Sequence, residues 1–103
     1  MWKFFRNITG LDTDFTDLPT DFTELSLHII WAGEINARNA LHIPILHKEL
    51  QTAVTQIRTG YYANSTANAM INMYVSLTKI KVAQAYVNGS SVVDNIVVGI
   101  YYR

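Results

Sequence analysis

Leu25, Leu27, Ile29 and Trp31 interleave with Ser26, His28 and Ile30, a period of two that predicts a half-buried strand. Residues 32–39 interrupt this pattern, and Leu41, Ile43 and Ile45 resume it as a second strand. Pro44 lacks the N–H that a central ladder needs, so it is expected to open a helix instead. Leu46, Leu50, Ala53, Val54 and Ile57 then recur at spacings of three and four, and Gly60 follows as a stop. That spacing predicts a helix over about 45–58.

Residues 61–68 form a polar connection. Beyond it Ile71, Met73, Val75 and Leu77 alternate with Asn72, Tyr74, Ser76 and Thr78. The apolar parity then switches to Ile80 and Val82, which predicts a bulge or a strand break near Thr78 and Lys79. Asn88-Gly89 is the strongest hairpin signal in the chain. It leads into residues 92–102, where Val93, Val97 and Tyr101 occupy one face and Ile96, Val98 and Ile100 the other. An apolar surface on both sides predicts either a central strand or a contact with a second copy, so Val98 and Ile100 are candidate interface residues.

Ahead of these elements lies an acidic leader with a local repeat, Thr13-Asp14-Phe15-Thr16-Asp17-Leu18 and then Thr20-Asp21-Phe22-Thr23-Glu24-Leu25. Thr and Asp are poor interior helix formers and Pro19 blocks continuity. Residues 1–21 are therefore read as a partly ordered arm on a single domain of residues 22–103. Phe15 and Leu18 are its candidate anchors, either on the body or on a neighbouring subunit.

Composition narrows the function classes. The 103 residues suit one domain, and a hydrophobic half suffices to build a core. Charged residues make up 16%, below the roughly 25% usual in soluble domains, and the net charge is +0. Little repulsion separates copies of such a chain, so a homo-oligomer is expected. With no cysteine, disulfides and thiolate chemistry are excluded. No apolar run reaches the ~18–20 residues of a membrane-spanning helix, and no charged leader with an apolar run signals secretion.

The candidate chemistry is sparse. His42 and His47 straddle Pro44 without the spacing of a helical metal site, and no third ligand accompanies them. The five glycines are scattered, so no phosphate loop is formed. The leader carboxylates sit on a Thr-rich arm that does not position them for acid–base work. Neither an enzyme, nor a cofactor, nor a small-molecule substrate is expected. Two binding surfaces remain. Lys79 and Lys81 face one side of a strand, and Lys48 and Arg58 fall on the predicted helix, which together make a candidate nucleic-acid contact of weak affinity. Trp2, Lys3, Phe4, Phe5 and Arg6 mix aromatic and basic side chains, as peripheral membrane contacts do.

Residues 25–33 followed by 39–46 resemble the early strand pair of bornavirus matrix proteins, in which an apolar strand ending in a Gly turn leads to an Asn-Ile-Pro-type segment. Residues 69–77 resemble their following long strand, and a helix between strands is similar to rhabdovirus matrix proteins. The chain is shorter and less basic than those proteins and carries no Pro-rich budding motif. The resemblance implies a non-enzymatic viral matrix protein that self-assembles beneath a membrane and links envelope to nucleocapsid, resident in the virion and host cytoplasm. Other classes are a small nucleic-acid-binding module and a capsid or tail subunit without membrane contact. The expected fold is α+β: an antiparallel sheet of about five strands with one packed helix.

Overall fold

A computed structural model describes residues 1–11, 14–31, 40–65, 67–91 and 96–103. Among the described residues the architecture is all-β, with every strand pair antiparallel. The strands are β1 (Lys3–Thr9), β2 (Thr16–Asp17), β3 (Glu24–Trp31), β4 (Ala40–Leu46), β5 (Thr55–Asn64), β6 (Ala67–Val75), β7 (Lys79–Val87), β8 (Ser90–Ser91) and β9 (Ile96–Tyr102). One sheet runs β1-β9-β3-β4. The other runs β2-β7-β6-β5, with the short β8 also paired to β7.

The two sheets share one core. Leu25, Leu27, Ile29 and Trp31 of β3 and Ile96, Val98 and Ile100 of β9 meet Ile71, Met73 and Val75 of β6 and Ile80, Val82 and Ala85 of β7. Alternation puts these side chains on inner faces and leaves the intervening residues outside, as expected for a sandwich. Trp31 ties the layers together: its indole N–H donates to the Met70 carbonyl at 3.2 Å, and its ring stands edge-on to Tyr61 at 6.0 Å.

The expected α+β fold with one sheet and a helix over 45–58 is overturned. A single turn of 3-10 helix, His47–Glu49, is all that forms there, and Thr55 onward is strand. The reason is local chemistry. Val54, Thr55, Ile57 and Thr59 are β-branched, which weakens a helix and suits a pleated surface, and Ile57, Thr59 and Tyr61 also fit a period of two. Gly60 is no helix stop but lies mid-strand opposite Met70. A Cβ there would overlap the Ala69 carbonyl oxygen and lie 2.8 Å from the Met70 Cα, so glycine alone permits this backbone approach. Pro44 opens no helix either. It sits in β4 opposite Ser26, and among the described residues β4 pairs with β3 alone, an edge position where proline is tolerated.

Other expectations land closer. The parity switch near Thr78 and Lys79 is a strand break, closed by the Ser76 N–H donating to the Lys79 carbonyl at 2.9 Å. Asn88 and Gly89 both have positive φ, 52° and 81°, the geometry of a tight two-residue hairpin. That hairpin ends in β8, whereas β9 belongs to the other sheet. The leader is pinned to the body. Thr16 and Asp17 pair with Ile80 and Lys79, and Leu18 and Phe22 are buried. The predicted turn over 32–39, like Asp12, Thr13, Val92, Val93, Asp94 and Asn95, lies outside the described residues.

Candidate functional site

Strand register assembles the outer face of the four-stranded sheet in rows. Asn7, Gly99, His28 and His42 lie side by side across β1, β9, β3 and β4, and Phe4, Tyr101, Ser26 and Pro44 form the next row. The rings run as a continuous series. His28 stacks on His42 at 3.9 Å and 11°, Tyr101 lies 4.2 Å from His28, and Phe4 lies 5.3 Å from Tyr101. Gly99 leaves room for this closure, since a Cβ there would stand 3.2 Å from Asn7 Oδ1 and 3.4 Å from Tyr101 Cε1. His28 Nε2 is 3.1 Å from Ser26 Oγ. Burial, and secondarily the charge of His42, hold the His28 imidazole below its ordinary value. Parallel rings do not converge their lone pairs on one point, and no group of three metal-ligating side chains exists among the described residues. His47 lies elsewhere, edge-on to Phe22 at 4.9 Å.

The Trp2–Arg6 segment is partly covered, with Trp2, Phe4 and Phe5 still 38%, 53% and 37% exposed. Lys3 to Arg6 belong to β1, and their rings pack on the C-terminal end of the chain. Phe5 meets Tyr102 at 6.1 Å, Lys3 Nζ lies 5.9 Å from the Tyr102 ring, and the Arg103 guanidinium lies 4.5 Å over Trp2. Arg103 also forms an ion pair with Glu24 at 2.9 Å.

The outer face of the five-stranded sheet gathers three of the four cations proposed for nucleic acid. Rows across β5, β6 and β7 read Gln56–Tyr74–Lys81, then Arg58–Asn72–Gln84, then Gly60–Met70–Tyr86. Lys79 stands at the margin of this face. Lys79 and Lys81 both lie over the Phe15 ring, at 4.6 and 5.8 Å. Gln56 donates to Asn72 Oδ1 at 2.8 Å. Arg58 is on a strand rather than a helix, and Lys48 is exposed on the 3-10 turn that follows β4, outside these rows.

Val98, Ile100 and Leu18, the candidate interface residues, are buried in the core, and Phe15 is 38% exposed beneath the two lysines. No sequence motif marks the stacked rings; their signal is strand register, because β3 and β4 pair with position 28 opposite position 42.

No known family, curated protein or solved structure matches this chain. The resemblance to bornavirus and rhabdovirus matrix proteins is corrected accordingly. The helix between strands that carried part of it is replaced by a 3-10 turn, a short irregular stretch and the start of β5, and the one sheet is two sheets. The reading as a viral, membrane-linking matrix protein falls with it. No helix among the described residues is long and apolar enough to cross a membrane, and the aromatic N-terminus is an edge strand packed on Tyr101 and Tyr102.

Proposed function

We propose that this domain is a non-enzymatic structural subunit of the capsid or tail type, which joins copies of itself through the edge of β5. The carrying observation is how unevenly the sheet edges are guarded. Natural edges are blunted by proline, charge, bulges or shortness, because an open edge templates pairing with another chain. β4 carries Pro44 at its centre. β1 carries Lys3 and Arg6 and a register shift between Phe4 and Arg6. The far side of β7 is met by β2 and β8, two residues each. β5 has none of these devices along most of its length. It is ten residues long, holds no proline and a single charge at Arg58, and is irregular only between Tyr62 and Asn64. No described strand pairs with its other side.

Pairing of β5 with β5 of a second copy about a two-fold axis is self-complementary and merges two sheets into one. The near-zero net charge offers little opposition. Light scattering or sedimentation should therefore give at least twice the 11.7 kDa chain mass. Gln56→Lys with Tyr62→Lys, both at exposed positions, places like charges across that junction and should return a folded monomer. A native protein that remains monomeric at millimolar concentration overturns the proposal, as does a double variant that keeps its mass.

A further inference from the structure

We infer that the outer face of the five-stranded sheet binds single-stranded nucleic acid. The starting point is segregation of charge. From residue 50 to residue 93 the chain contains no Asp or Glu, and β5, β6 and β7 lie wholly within that span. The neutral net charge thus conceals three strands that carry cations and no carboxylate. Their cations are Arg58, Lys79 and Lys81, and none has a carboxylate within 4.0 Å among the described residues, where the one ion pair is Arg103 with Glu24. Asp17, opposite Lys79 in register, is the nearest acidic position on the sheet margin.

Cations alone would suit any polyanion. The arrangement of rings and amides narrows the choice. Tyr74 sits in the row of Lys81, and Tyr86 two rows further on. At about 3.4 Å per residue this separates them by about 13 Å along the strands, so each ring takes its own base. Both are half-buried, which fixes the rings while leaving a surface for stacking. Asn72 and Gln84 fill the row between them; Asn72 is buried and accepts from Gln56 through Oδ1, which leaves the exposed Gln84 amide to meet base edges. Met70 adds a polarizable apolar floor. The cation–π contacts of Lys79 and Lys81 with Phe15 hold the two ammonium groups at one end of this platform. Phosphates tracked by cations and bases stacked on aromatic rings are the two components of single-strand recognition on a sheet. A duplex hides its base faces and loses the second component.

The inference is independent of self-association, because a single domain carries the whole face. The test is fluorescence anisotropy with labelled oligothymidine and oligouridine at low protein concentration, over a series of salt concentrations. With three phosphate contacts, log affinity should fall against log salt with a slope of about 2, at roughly 0.7 per contact on a single strand. Arg58→Gln with Lys81→Gln should weaken binding and lower the slope to about 0.7. Tyr74→Ala should weaken binding about tenfold at an unchanged slope, the lower range for loss of one stacked base. Lys48→Gln, outside these rows, should leave the salt slope unchanged. Thermal melting establishes that each variant is folded, and Tyr74→Leu replaces Tyr74→Ala if the latter is not. No binding at low salt overturns the inference. So does equal affinity for duplex DNA or for inorganic polyphosphate, which offer no stackable bases, or a salt slope that the charge variants leave intact.

Discussion

At the scale of single residues, His28 is the side chain whose chemistry the fold alters most clearly. It sits in a row with Asn7, Gly99 and His42, under the Tyr101 ring and beside Ser26, so no carboxylate faces it from β1, β9 or β4. Partial burial and the neighbouring imidazole both disfavour its charged form. The free imidazole of the unfolded chain titrates near 6.5, so as pH falls the unfolded state takes up this proton before the native state does. Stability then rises with pH across the window. His28 contributes fully above about pH 6.5, and the contribution is lost as pH falls from there through the lowered native value. Thermal melts between neutral pH and the carboxylate range should show this decline, and His42→Gln should reduce it by removing the second charge. A decline that persists undiminished in His28→Gln would assign it to another group.

At the scale of elements, two strands show how a pattern is resolved. The segment 96–102 is apolar on both faces in the sequence, and the structure makes it central, between β1 and β3. Val98 and Ile100 point into the core at 0% exposure, and Val97, Gly99 and Tyr101 occupy the outer face. Val98→Asp therefore tests the core rather than an interface. An unpartnered carboxylate placed there should cost several kcal/mol and leave little folded protein, whereas Val98→Ala should cost about 2 kcal/mol. Circular dichroism and urea unfolding distinguish the two, and a well-folded Val98→Asp would contradict the buried assignment. β5 is the opposite case. The residues leading into it satisfy a helical spacing through Leu46, Leu50, Val54 and Ile57, whereas within it Ile57, Thr59 and Tyr61 satisfy a strand spacing. Pairing with β6 over Thr55–Val75 to Asn64–Ala67 chooses the strand, and the β-branched residues favour it locally.

At the scale of the whole molecule, the two ends of the chain lie together. β1 pairs with β9 from Lys3 opposite Tyr102 to Thr9 opposite Val97, while Thr23 and Glu24 N–H groups donate to the Arg103 carbonyl at 2.7 and 3.1 Å. Deleting residues 1–6 removes half of that ladder and the Phe4 and Phe5 ring contacts. It should destabilise the fold by about 2–4 kcal/mol, from a few backbone hydrogen bonds and two aromatic pairs, read as a lower urea midpoint at near-constant slope. An unchanged midpoint would mean that β1 is an ornament on a core complete without it. Much of this molecule is local and hence readable in the chain. The alternation of Leu25 to Trp31, the Asn88-Gly89 turn, the break before Lys79 and the acid-free span 50–93 all follow from neighbouring residues, as does the exclusion of thiol chemistry. Which strands pair is not local. A period of two records that a side chain is buried but not the strand or sheet that covers it. Tertiary structure alone therefore divided the strands into two sheets, enclosed Val98 and Ile100, and stacked His28 on His42. It also brought Arg58 to the face of Lys81 while leaving Lys48 elsewhere.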